Sequence, residues 1–116
     1  SKVKDEMLEL PISFLNPTST FTEIVSSISQ GKLGFAIVYD EKTKKYSVIT
    51  DGDLRRAMDH YGKDVFSIKA KDIASGMPHT VSHSASMEHA YSLMDKHKIG
   101  FLLAVDNEEL VGVLKK

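Results

Sequence analysis

The sequence predicts an α+β fold, mixed α/β in content, built from two β-α-β-β-α repeats packed as a pseudo-two-fold pair within one chain. The first observation behind this is an internal repeat. Residues 16–40 align with 82–106 at a lag of 66, pairing Ser26 with Ser92, Lys32 with Lys98, Gly34-Phe35 with Gly100-Phe101 and Asp40 with Asp106. The second is that the lag shifts by one residue only at turns. It is 67 upstream, where "KVKD" at 2–5 meets "KAKD" at 69–72, and 65 downstream, where "SVIT" at 47–50 meets "GVLK" at 112–115. Turns are where a chain tolerates insertions. The third is size. A repeat of about 55 residues buries too little surface to be stable alone, so two must share a core.

Each element follows from local pattern. A short extended piece opens each copy, at Ile12–Leu15 and Thr80–Ser82. A helix comes next. Thr20 with Glu23 three residues on forms a capping box, and Ser86 is the matching cap. Phe21, Ile24, Val25 and Ile28 recur at helical spacing, as do Met87, Ala90, Tyr91 and Met94. Two β-rich runs then flank a polar turn: "FAIVYD" and "YSVIT" in the first copy, "FLLAVD" and "LVGVL" in the second. In the first copy a further helix, "DGDLRRAMDHYG", ends at Gly62. These patterns place repeat 1 at residues 1–62, a connector at 63–70 and repeat 2 at 71–116, its closing helix missing or truncated.

Composition narrows the function. The chain of 116 residues is 41% apolar and 27% charged with a net charge of −1, which offers nothing to nucleic acid or to an anionic membrane. There is no cysteine, so disulfides, thiolate metal sites and cysteine nucleophiles are excluded. No apolar run approaches the roughly 20 residues that span a bilayer. The opening Ser-Lys-Val, without Met or a signal pattern, suggests a piece of a longer cytoplasmic protein. The methionines at 58, 77, 87 and 94 read as core packing.

The chemistry concentrates in "ITDGDLRRAM", residues 49–58. One reading is a helix start, with Thr50 or Asp51 capping, Gly52 easing the turn and Asp53 complementing the helix dipole. The other is a ligand site, because unpaired N–H groups at a helix N-terminus bind phosphate. Arg55 and Arg56 can reach phosphate, or stay solvated, or bridge to a carboxylate such as Asp59. Asp51 and Asp53 lack a third metal ligand. His79 and His83, four apart in an extended stretch, would sit about 13 Å apart, too far to share an ion. His97, near a helix C-terminus, is placed where a partly positive imidazole is favourable. No catalytic constellation and no metal set can be read.

The tandem units, with "KLGFAIVYD", "VITDGDLRRAM" and "TVSHSASMEHAYSLMDKHKIGFLLAVD", resemble a pair of cystathionine β-synthase (CBS) domains, the Bateman module. They look most similar to the C-terminal pair of arabinose-5-phosphate isomerases, whose catalytic sugar isomerase (SIS) domain serves Kdo and lipopolysaccharide synthesis. The resemblance implies a non-catalytic regulatory and assembly module, in a parent that is an enzyme. It implies a small anionic effector of AMP or ATP type, or a sugar nucleotide, with no required cofactor. The implied site is Thr50 and Asp53, on phosphate and ribose, flanked by Asp51, Gly52 and Arg55. In the second copy Lys115 stands where Thr50 should, and the match to Asp53 falls beyond residue 116, so an equal second site is not expected, although Lys115 could still reach an anionic ligand. Implied partners are the SIS domain and further copies in a dimer or larger homo-oligomer. Two alternatives remain: an oligomerisation module without ligand, and a CBS pair from a different parent.

Overall fold

A computed structural model describes residues 1–10, 12–31 and 33–116. The chain is mixed α/β and divides into two compact units, residues 13–78 and a composite of residues 1–12 with 79–116. Each is described by itself.

The unit of residues 13–78 has the expected pattern. Strand β2 (Phe14–Leu15) leads to helix α2 (Phe21–Gln30), then to strands β3 (Phe35–Asp40) and β4 (Lys45–Thr50) and helix α3 (Asp51–Tyr61). The sheet order is β2-β3-β4, with β2 parallel and β4 antiparallel to β3. Thr20 caps α2 with its capping box complete: its hydroxyl accepts from the Glu23 N–H, and Glu23 accepts from the Thr20 N–H. The β3–β4 turn is tied by Asp40, whose carboxylate accepts from the Lys42 N–H at 2.9 Å. Helix α3 stops at Gly62, whose φ of +56° suits glycine. Phe21, Ile24 and Ile28 of α2 and Leu54 and Ala57 of α3 close one core with Ala36, Val38 and Ile49 of the sheet.

The composite unit repeats that geometry. Strand β5 (Thr80–Ser82), helix α5 (Met87–His97) and strands β6 (Phe101–Asp106) and β7 (Glu109–Lys115) form the second repeat. Thr80 pairs with Leu103 as Phe14 pairs with Ile37, and Leu103 pairs with Val113 as Ile37 pairs with Val48. The lags of 66 and 65 are thus reproduced residue by residue in the sheet registers. A bulge between Ala104 and Val105, and a two-residue turn with Asn107 and Glu108 at positive φ, absorb the change of lag. Met87, Ala90 and Met94 pack on Leu102, Ala104 and Leu114.

The leading segments of the two repeats pack in a crossed arrangement. "KVKD" and "KAKD" both form a single helical turn, α1 (Val3–Glu6) and α4 (Ala70–Ile73). Helix α1 belongs to the composite unit, although it precedes the first repeat. The Val3 N–H donates to Ala85 at 2.9 Å and the Lys4 N–H to His83 at 2.9 Å. Strand β1 (Leu8–Glu9) then pairs antiparallel with β7. Helix α4 belongs to the unit of residues 13–78 and makes the matching bonds, Ala70 N–H to Ser19 and Lys71 N–H to Pro17, both 2.9 Å. Through the connector 63–70 runs a 3₁₀ segment (Gly62–Ser67) that buries Val65. Each leading segment completes the other repeat because it carries what that repeat lacks, a partner for an open strand edge and an apolar plug. Val3 and Ala70 are both 0% exposed.

The methionines divide. Met87 and Met94 are core residues at 7% and 0% exposure, but Met58 and Met77 lie in solvent at 48% and 77%. Met58 is on the outer face of α3, and Met77 sits in a stretch with no regular element whose side chains could share a core.

Met94→Ala should cost about 2–5 kcal/mol, since the side chain is fully enclosed; urea denaturation measures it. Gly112→Ala tests the docking of the leading segment separately. An added Cβ would stand 2.6 Å from the Leu8 carbonyl oxygen and 2.7 Å from the Met7 sulfur. Amide exchange at Leu8 and Glu9 should accelerate, while β3 and β4 keep their protection.

Candidate functional site

The site grows from a strand-to-helix junction. Thr50 ends β4 with extended backbone and caps α3, its hydroxyl accepting from the Asp53 N–H at 3.2 Å. Asp53 answers from the first turn. Its Oδ2 accepts from the Thr50 N–H at 2.9 Å and from the Thr50 hydroxyl at 3.0 Å. Threonine suits the last strand position and the cap alike, so strand and helix join without an intervening loop.

Two further donors reach the same carboxylate. Ser75 donates its hydroxyl to Oδ2 at 3.0 Å, and the Arg56 guanidinium donates to Oδ1 at 2.8 Å. Asp53 thus accepts four hydrogen bonds, about the capacity of a carboxylate. Its side chain is 11% exposed, whereas that of Arg56 is 74% exposed. Burial alone would raise its pKa, but the bonds from the Thr50 N–H, Arg56, Ser75 and the Thr50 hydroxyl together hold it below the ordinary value. Asp53 is therefore a fixed anion at neutral pH.

Gly52 has a specific reason to be glycine. A Cβ there would stand 3.2 Å from one terminal nitrogen of Arg56, so its absence lets the guanidinium fold back over the first turn. Asp51 and Arg55 are exposed on α3. Among the described residues Arg55 forms no ion pair with Asp59; the pair that forms is Asp53 with Arg56. Lys115 is exposed at the end of β7, pairing with Phe101 as Thr50 pairs with Phe35, which places it as the counterpart of Thr50. Thr50, Asp51, Gly52, Asp53 and Arg55 therefore share one junction, whereas Lys115 belongs to the composite unit.

Arg56 and Ser75 are the residues that sequence reasoning left out of the site. Arg56 lies three after Asp53, a helical spacing that carries the signal. Ser75 is 22 residues from Asp53 and arrives because the segment after α4 bridges to β4, with the Ser75 N–H donating to Val48 at 2.8 Å. Its counterpart by register is Leu8, so the repeat gave no hint of it.

The histidines form a different cluster. His83 Nε2 lies 3.5 Å from an Asp106 oxygen, while His79 stacks on His97 with ring centroids 3.8 Å apart. Desolvation, then His79, then Lys96 lower the His97 pKa. That direction favours the neutral ring. Among the described residues no three potential ligands are grouped for a metal ion, and no helix is long and apolar enough to cross a membrane.

Comparison with known proteins adds to this geometry. Residues 70–116 match the CBS domain family. This chain is a CBS module. It is 32% identical over 115 residues to a Haemophilus influenzae protein named as a probable arabinose 5-phosphate isomerase, covering 98% of this chain and 34% of that one. It is 33% identical over 97 residues to arabinose 5-phosphate isomerase KdsD of Pseudomonas aeruginosa, covering 83% of this chain and 29% of that one. The module thus spans about a third of the length of these relatives. A CBS domain protein of Pyrobaculum aerophilum, solved in complex with AMP, shares the fold at a TM-score of 0.82 and 24% identity, covering 99% of this chain and 87% of that one.

Asp53→Ala should cost about 0.5–2 kcal/mol, because it removes the carboxylate half of the α3 capping box, while the exposed Ser75 and Arg56 can turn to water. A dipole contribution alone would be only about 0.3–1 kcal/mol. Since the folded pKa is lowered, the unfolded chain binds more protons in the acid range. The stabilisation is present above the unfolded value of 3.8 and is lost as pH falls through the folded value. In Asp53→Asn the acid limb of a melting-temperature profile should flatten relative to wild type.

Proposed function

We propose that this CBS module is the regulatory and assembly part of a sugar-phosphate isomerase acting on arabinose 5-phosphate in the cytoplasm, feeding lipopolysaccharide synthesis. It takes a small anionic effector, an adenine nucleotide or a sugar nucleotide, at the Thr50–Asp53 junction. The observation that supports this reading is the Asp53 carboxylate. It is held ionised at a helix start, and two of its donors, Arg56 and Ser75, come from residues that can exchange for other donors. A ribose diol offers two hydroxyl donors. One joins Oδ1, and the other replaces Ser75 on Oδ2, leaving the Thr50 cap intact. The first N–H groups of α3 and Arg55 suit the phosphate, and the Thr50 hydroxyl can turn to it by giving up its bond to Asp53 while still accepting from the Asp53 N–H. Gly52 keeps the approach low, and Asp51 borders it.

Kinship with arabinose 5-phosphate isomerases supports the parent, and the AMP complex of a protein with the same fold supports the ligand class. The remaining two-thirds of such a parent would supply the SIS catalytic domain, with the module shifting its activity through differential binding. Lys115 stands in place of Thr50 in the second repeat, which supports one working site of this kind per module. The module needs no cofactor of its own and does not isomerise sugars.

A thermal-shift screen of AMP, ATP and sugar nucleotides tests the reading. A binder at 100 times its dissociation constant should add roughly 2.7 kcal/mol. Asp53→Asn and Thr50→Val should each weaken that shift. Equal binding to wild type and Asp53→Asn would remove Asp53 from the site, and a chain unmoved by every nucleotide would leave the oligomerisation reading. Ribulose 5-phosphate incubated with the module alone should be recovered unchanged.

A further inference from the structure

The stretch after α4 is held more lightly than its counterpart. In the composite unit Leu8 and Glu9 pair with Val113 and Gly112 as a short strand, β1. In the unit of residues 13–78 the matching place is a single bridge, Ser75 with Val48. Its backbone anchor is the Ser75 N–H, which donates to the Val48 carbonyl at 2.8 Å. Its second anchor is the Ser75 hydroxyl on Asp53 Oδ2 at 3.0 Å, a bond that a leucine at that place cannot make. Beyond Ser75 the chain is open. Gly76 and Met77 are exposed, and among the described residues Gly76, Met77 and Pro78 make no hydrogen bond. The composite unit resumes at His79. Ser75 is thus the last anchor before the chain passes from one unit to the other.

Asp53 offers its two oxygens unequally. Oδ2 holds the Thr50 N–H, the Thr50 hydroxyl and Ser75, whereas Oδ1 holds Arg56 alone. A carboxylate oxygen has about two lone-pair sites. A first ligand hydroxyl therefore joins the open side of Oδ1 and displaces nothing. A second must use Oδ2. Even when a phosphate draws the Thr50 hydroxyl away, the Thr50 N–H and Ser75 fill that oxygen. The N–H bond is half of the α3 capping box, so Ser75 is the donor that leaves. On the reading of the Thr50–Asp53 junction as a nucleotide site, we propose that Ser75 makes the junction distinguish a diol from a single hydroxyl. A ligand with two adjacent hydroxyls takes the place of Ser75 on Asp53 and loosens residues 75–78. A ligand with one hydroxyl binds and leaves them held. Because Ser75 competes with the diol, it lowers affinity and couples binding to this stretch.

Amide exchange and binding of AMP and 2′-deoxy-AMP are measured on wild type and Ser75→Ala. In the unliganded chains the amide at position 75, corrected for its intrinsic rate, should lose protection by about 2- to 10-fold in Ser75→Ala, while Ala70 and Lys71 keep theirs. Saturating AMP should release the same amide in wild type and add nothing in Ser75→Ala. Saturating 2′-deoxy-AMP should leave it protected. AMP should bind Ser75→Ala about 2- to 10-fold more tightly than wild type, and 2′-deoxy-AMP should bind both chains alike. AMP that binds wild type without releasing position 75, or that binds Ser75→Ala no more tightly, overturns the coupling and leaves the nucleotide reading standing. Release of position 75 by 2′-deoxy-AMP overturns the discrimination. Equal protection in the two unliganded chains overturns the anchor itself. AMP that binds neither chain overturns the AMP reading of the junction and the coupling with it.

Discussion

The architecture depends on one constraint: a strand edge and a helix start in each unit are completed by a segment from the wrong end of the sequence. Val3 and Ala70, both fully buried, plug the two places. Backbone N–H groups beside them donate to carbonyls just ahead of α5 and α2, and the Met87 N–H at the start of α5 donates to Ser1. Leu8 and Ser75 then pair with Val113 and Val48 at the open edges of β7 and β4. An unpaired edge is a liability in any small sheet. Here the tandem repeat itself supplies the cover, the segment that leads each repeat being the one that completes the other.

The candidate site inherits that constraint. Ser75 reaches Asp53 because it lies on the bridge to β4, and β4 runs directly into the cap of α3. The bonds of Asp53 to Thr50 define the helix start. In the proposed complex a sugar hydroxyl takes the place of Ser75 on Oδ2, and Arg56, largely in solvent on the Oδ1 side, can stay or move at little cost.

In the composite unit the same scaffold ends in different chemistry. Its hairpin keeps the register of the other unit to the last pair, Phe101 with Lys115. A lysine there brings a flexible ammonium in place of a hydroxyl cap, which cannot organise a first turn as Thr50 does. The two repeats thus share a backbone plan without sharing the Thr50–Asp53 capping junction.

Much was legible in the sequence because it was local. The caps at Thr20, Thr50 and Ser86, the helical spacing of Phe21, Ile24 and Ile28, the hairpins around Asp40 and Asp106 and the repeat lags all arise from residues within a turn or a strand of each other. Even the Asp53–Arg56 pair had a visible spacing. The swapped leading segments, the place of Ser75, the stacking of His79 on His97 and the exposure of Met58 and Met77 were not legible. These depend on which surfaces meet after the chain has folded back on itself. Periodicity says that Val3 and Ala70 are small and apolar, but not which core has a hole of their size. Local pattern determined the elements and their caps; packing and edge pairing between distant residues decided which segment belongs to which unit, and so which side chain reaches the carboxylate.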